Sequence, residues 1–225
     1  MKEETNGKGS FFMADSQKIS KQAMHRMPYY VECLRSLAAE GVVTVSAPVV
    51  AEKLKLNEVQ VRKDFAAVSK SGGRAKIGFP VQELLKDMEK ALGYHSANSA
   101  VLVGAGSLGH ALVSYRGFEE YGLRIMAAFD TQKDLIGSVI GEVPVYDAAG
   151  ISDYCQEHGI RIGVITVPAD EAQEVCDMLV KGGVQGIWNF APTYLDVPET
   201  ILLQNENMAA SLAILSRHLR ERNRK

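Results

Sequence analysis

Up to about Leu92 the apolar residues recur every three or four positions, and beyond Ala100 they gather in short unbroken runs. The first pattern belongs to amphipathic helices with one face turned to a core. The second belongs to strands buried on both faces of a parallel sheet. Met24, Val31, Leu34 and Leu37 predict a helix from after Ser20 to Gly41, kinked at Pro28. Val42–Val45 reads as a short extended piece. Ser46 is placed to cap a second helix that carries Pro48 in its first turn and turns Ala51 and Leu54 inward. Asn57 is placed to cap a third, with Gln60 at capping-box spacing. There Val59, Val61, Phe65 and Val68 alternate with Gln60, Arg62, Lys63 and Asp64, and Ser71-Gly72-Gly73 ends the helix.

Two short helices joined by a tight turn, the second bearing exposed basic groups, form a helix-turn-helix. The basic, glycine-bearing segment Arg74-Ala75-Lys76-Ile77-Gly78-Phe79 then reads as a β-wing, able to reach phosphates or a minor groove. A charged helix can equally be a solvated face, so this pattern alone leaves both readings open. Residues 81–92 form a linking amphipathic helix. Strands are expected at 100–103, 123–129, 143–146, 161–167 and 184–190, and helices at 107–116, 148–157 and 169–181. Such alternation predicts a doubly wound parallel sheet. A final helix from about Asn207 to Arg222 carries a stripe of Met208, Leu212, Leu215 and Leu219, suited to its own domain or to a second subunit.

The net charge of −2 excludes bulk attraction to polyanions, but Lys55, Arg62, Lys63, Lys70, Arg74 and Lys76 face only Glu58 and Asp64 over 55–76. A local basic patch can still steer toward nucleic acid. Cys33, Cys155 and Cys176 form no Cys-x-x-Cys pair, and the five histidines are isolated, so neither disulfide framework nor metal site is indicated. Free thiols fit a reducing cytoplasm. No apolar run reaches the roughly 20 residues of a membrane span. Residues 1–18 read as a flexible tail.

The chemistry concentrates at Val101-Leu102-Val103-Gly104-Ala105-Gly106-Ser107-Leu108-Gly109, where a strand runs through G-x-G-x-x-G into a helix. The first glycine permits a tight turn, the second lets backbone approach a pyrophosphate, and the third lets helix and strand pack closely. The helix N-terminus supplies N–H groups and a positive dipole end. Asp130, closing the next apolar run, would accept from the adenosine ribose hydroxyls and repel a 2′-phosphate. Thr131-Gln132 offer no arginine, leaving Lys133 as the nearest cation, so NAD(H) is expected rather than the phosphorylated form. Thr166-Val167-Pro168-Ala169 and Asn189-Phe190-Ala191-Pro192 each end a strand on the edge where such sheets bind ligands, and a cofactor-lining role is expected there. Asp170-Glu171 are read as dipole-favouring acids in a first turn, and His110 as a surface residue.

Taken together, these blocks and Gln60-Val61-Arg62-Lys63-Asp64, from Ile19 to Leu219, resemble the Rex family of redox-sensing transcriptional repressors. The resemblance implies an N-terminal winged helix, a C-terminal Rossmann domain and a homodimer with an exchanged C-terminal helix. It implies a palindromic DNA operator, released when NADH accumulates, and no catalytic residues. Carried onto this chain, Gln60, Arg62 and Lys63 would lie in the major groove, with Arg74 and Lys76 in the wing. Gly104, Ala105, Gly106, Ser107, Leu108, Gly109 and Asp130 would hold the adenosine half of the coenzyme, and Val167, Pro168, Asn189 and Phe190 would lie toward the nicotinamide. The implied organisation is tail 1–18, winged helix 19–80, linker helix 81–97, Rossmann domain 98–206 and dimerisation helix 207–225. The chain departs from the usual family pattern at Ser107, at Phe65-Ala66-Ala67-Val68-Ser69 and in the spacing of its wing. At the positions of a tyrosine switch found in some members it has Tyr115, Glu32 and Asn207. Two alternatives remain: a coenzyme-binding relative with weakened DNA recognition, and an NAD-dependent oxidoreductase. Against the oxidoreductase, no substrate domain and no paired base and orienting carboxylate are visible.

Overall fold

The computed structural model describes residues 19–74, 77–96 and 98–223, so the expected tail and Lys76 lie outside the described residues. The chain divides into two compact units, Met1–His95 and Ser96–Lys225.

In the first unit α1 (Lys21–Ala39) begins where the Ser20 hydroxyl accepts from the Ala23 N–H at 3.2 Å. It runs on through Pro28, whose ring lies on the exposed face, and does not end there. After β1 (Thr44–Val45), α2 (Ala47–Leu54) starts without the expected cap: the Ser46 side chain makes no capping bond, and Pro48 in the first turn sets the backbone instead. Asn57 does cap α3 (Glu58–Val68), accepting from the Gln60 N–H at 3.2 Å. The reciprocal arm of a capping box is not what Gln60 makes; its amide reaches forward to Asp64. Arg74 bridges to Gly78, and β2 (Phe79–Pro80) pairs antiparallel with β1, which completes a winged helix. Phe65 is fully buried, its ring edge-on to Tyr30 at 5.4 Å and to Phe79 at 5.3 Å, so one side chain ties α1, α3 and β2 together. Full burial of such a ring stabilises by about 1.5–3 kcal/mol. α4 (Val81–Leu92), expected as a linker, is a wall of this core: Val81, Leu84 and Met88 are fully buried in it.

The second unit holds β3 (Asn98–Val103), α5 (Ser107–Ser114), α6 (Gly117–Glu120), β4 (Leu123–Asp130), β5 (Val139–Ile140), β6 (Val143–Asp147), α7 (Ile151–His158), β7 (Ile162–Ile165), α8 (Ala172–Lys181), β8 (Gly186–Asn189), β9 (Leu202–Asn205) and α9 (Met208–Arg222). The sheet order is β5-β6-β4-β3-β7-β8-β9, parallel except where β5 meets β6. Without β5 this is the Rossmann order, which reverses between β3 and β7. Alternation along the strands sends Val101, Val103, Ala127, Phe129 and Ile165 to the face covered by α7 and α8. It sends Ala100, Leu102, Ala128 and Val164 to the other face, with Phe118 and Trp188. Asp170 and Glu171 precede α8 rather than sitting in its first turn, because the turn after Pro168 takes up three more residues than expected.

Candidate functional site

Where the strand order reverses, the end of β3 is tied to its neighbours on both sides. The Gly104 N–H donates to Phe129 O at 2.8 Å, and the Thr166 hydroxyl lies 2.9 and 2.7 Å from the carbonyl oxygens of Val103 and Gly104. Gly104 has φ +99°, and a Cβ there would meet the Thr166–Val167 backbone at 2.9 Å. A Cβ on Gly109 would stand 2.0 Å from Gly104 O. These two glycines let loop, strand and helix close on one another. Gly106 is different. A Cβ there would meet nothing within 4 Å, its φ is −65°, and it precedes α5 with no side chain capping the helix. That helix end thus lacks a side-chain cap and borders open space at Gly106, which fits a phosphate-bearing coenzyme.

A cleft of about 260 Å³ opens there, lined by Gly104, Gly106, Asp130, Val167 and Pro168 together with Thr131, Gln132, Thr166 and Glu171. Among the described residues lining it there is no lysine, arginine or histidine. Asp130 is nearly buried; its Oδ2 accepts from the Ala105 N–H at 2.7 Å and its Oδ1 from the Gln132 N–H at 2.9 Å. Each oxygen keeps room for a further donor such as a ribose hydroxyl. Ala105 is buried, Leu108 half-buried, and Ser107 and His110 exposed on α5.

Asn189 and Phe190, expected beside the coenzyme, do not line the cleft. Asn189 is fully buried: its Nδ2 donates to Asn205 Oδ1 at 2.8 Å and Thr193 O at 3.0 Å, and its Oδ1 accepts from the Ala191 N–H. It ties the loop after β8 to β9. Phe190 packs on Trp188 at 4.8 Å, on the face opposite α8. Tyr115 is half-exposed and stands edge-on to Phe118 at 4.9 Å. Asn207 caps α9 by accepting from the Ala210 N–H at 2.9 Å, and Glu32 is exposed on α1.

On α3, Gln60, Arg62 and Lys63 are exposed, as is Arg74 at the base of the wing. Arg62 pairs with Glu58 one turn back, a surface pair that adds little stability and opens readily to a phosphate. Behind this face lies a network the sequence did not announce. Asp64, 3% exposed, accepts from Arg26, Tyr30 and Gln60. Burial opposes its charge, but those hydrogen bonds outweigh it and hold the carboxyl below the usual range. Burial and then the same carboxylate push Tyr30 up to about 12. The only signal in the sequence was spacing: Arg26 and Tyr30, like Gln60 and Asp64, stand one helical turn apart. Cys33 is half-buried, and burial raises the Cys155 and Cys176 thiols to about 11. Among the described residues no three His, Cys, Asp or Glu side chains cluster to hold a metal, and no helix is long and apolar enough to cross a membrane.

Two family descriptions match the chain: "putative DNA-binding protein N-terminus" over residues 18–66 and "CoA binding domain" over 95–193. The redox-sensing transcriptional repressor Rex of Bacteroides fragilis is 35% identical, over 91% of this chain and 93% of its own. The chain belongs to the Rex family. Solved Rex structures agree in fold. RSP in complex with β-NAD+ and operator DNA has a TM-score of 0.83 at 32% identity, covering 91% of this chain and 94% of its own. RSP in complex with β-NADH has a TM-score of 0.80 at 33% identity, covering 91% and 96%.

Proposed function

We propose that this protein is a redox-sensing transcriptional repressor, which holds a palindromic operator as a homodimer and releases it when NADH binds. The observation that carries the coenzyme site is the open space over Gly106, at an uncapped helix end beside Asp130. Gly104 and Gly109 shape the cradle, and the N–H groups from Gly106 through Leu108 meet the pyrophosphate. Asp130, braced by Ala105 and Gln132, accepts from the ribose and disfavours a 2′-phosphate. Val167 and Pro168 continue the cleft toward the nicotinamide. Asn189 acts by holding its loop, and Phe190 by lending an apolar edge that suits a neutral, reduced ring better than a charged one.

In the duplex contact Gln60, Arg62 and Lys63 face the major groove, and Arg74 and Lys76 serve the backbone or minor groove. Rex relatives are named as redox-sensing repressors, and RSP has been solved with operator DNA and with both coenzyme forms. These findings favour a repressor over a dehydrogenase or a relative without DNA recognition. A protein acting on an operator works in the cytoplasm. Release is a population shift: two dimer arrangements exist, NADH prefers one, and half-sites a helical turn apart accept the other. Fluorescence anisotropy of a selected operator, titrated with each coenzyme, tests this. NADH should weaken binding at least about fivefold more than NAD+ does; equal effects would remove the reading.

A further inference from the structure

The recognition helix carries one residue whose polar end is not free to turn. Gln60 Nε2 donates to Asp64 Oδ1 at 3.0 Å. The same oxygen accepts from Arg26 Nη2 at 3.0 Å, while Oδ2 accepts from Arg26 Nε and from the Tyr30 hydroxyl, both at 2.8 Å. Arg26 thus grips the carboxylate with its two-pronged fork, and Tyr30 closes it from the next turn of α1. Gln60 is the one exposed member of the set.

An ionised carboxylate can only accept. The Gln60 amide must therefore present Nε2 inward, because reversal would set Oε1 against a charged oxygen. Its Oε1 is turned away from Asp64. In the major groove adenine offers an amino group beside N7, and cytosine offers an amino group; guanine offers only acceptors, and thymine a carbonyl and a methyl. An outward carbonyl oxygen accepts from the first two and repels the acceptors of the others.

The geometry points to Asp64 as a positioning residue that fixes which way the Gln60 amide faces, and to Gln60 as a reader of the amino group of adenine or cytosine. This rests on the duplex contact proposed above. Arg26 and Tyr30 act at one remove, by holding Asp64 in place and charged. Arg62 and Lys63 do not share the device.

The test is selection of random duplexes by the wild type and by Gln60→Ala, Asp64→Asn and Tyr30→Phe, with thermal unfolding of each. Gln60→Ala should lose about tenfold discrimination at one base pair per half-site, where adenine or cytosine was chosen. Asp64→Asn and Tyr30→Phe should relax that same pair by about threefold or more, while the other positions keep their preference. If Asp64→Asn does not fold, Tyr30→Phe decides, since it removes one hydroxyl and leaves the Arg26 fork. A wild type that selects no sequence sinks the duplex reading itself. A wild type that selects one, with folded variants that weaken every position alike or leave the Gln60 pair unchanged, overturns the positioning role. So does a Gln60 side-chain amide that exchanges with solvent as fast as that of exposed Gln22.

Discussion

One methyl group separates the work of two glycines three residues apart. Gly106→Ala adds a carbon to open space at an ordinary φ. The fold should tolerate it, with an unchanged melting temperature, while NADH affinity falls at least about tenfold because the carbon occupies the phosphate's place. Gly109→Ala drives a carbon against Gly104 O. It should lower stability by about 1–3 kcal/mol and lose the coenzyme as well. Thermal unfolding with a calorimetric NADH titration distinguishes the two; equal melting temperatures would refute the division of labour. The spacing was readable because sterics demands glycine at 104 and 109, and the approach of a phosphate to the backbone favours it at 106. Which side of the sheet Asn189 and Phe190 take was not, since the last residues of a strand alternate between faces. Asp64 lies far in sequence from Arg26, and nothing local announces a bond across that gap.

Among the described elements, α9 has an unfinished surface. Its described residues are all exposed, including the stripe of Met208, Leu212, Leu215 and Leu219. A stripe of that width is costly to leave in water. The homodimer proposed above gives it a partner. Leu212→Glu combined with Leu215→Glu should convert a dimer to a monomer in light scattering and weaken operator binding. A dimer that survives both changes would place the interface elsewhere. The stripe itself was legible from its helical period, as were the core helices. β5 and β9 were not, because a two-residue strand at a sheet edge, one residue exposed and one buried, or a Leu-Leu-Gln-Asn run, carries too little alternation to stand out. The one-turn α6, just beyond the helix expected over 107–116, is too short to show a period of its own.

At the scale of the whole molecule the proposal has a thermodynamic obligation. Whatever factor NADH takes from operator affinity, operator must take from NADH affinity, on the order of 5–150-fold for typical couplings. NADH titrations with and without operator should give the same factor as operator titrations with and without NADH; a mismatch would mean the two ligands are not coupled through one equilibrium. The two-part organisation was visible as a change from helical to strand periodicity near residue 96, close to where the compact units divide. The place of α4 was not, since an amphipathic helix next to a boundary can face either way until its apolar side finds a core.

The cleft's shortage of cations carries a further consequence. A pyrophosphate gripped by neutral N–H dipoles displaces few bound counterions, whereas lysines and arginines on a duplex displace many. Rising potassium would therefore loosen the grip on the chromosome and scarcely move the coenzyme level at which the DNA-free sensor fills, so through the coupling the coenzyme level that empties the operator would fall as salt rises.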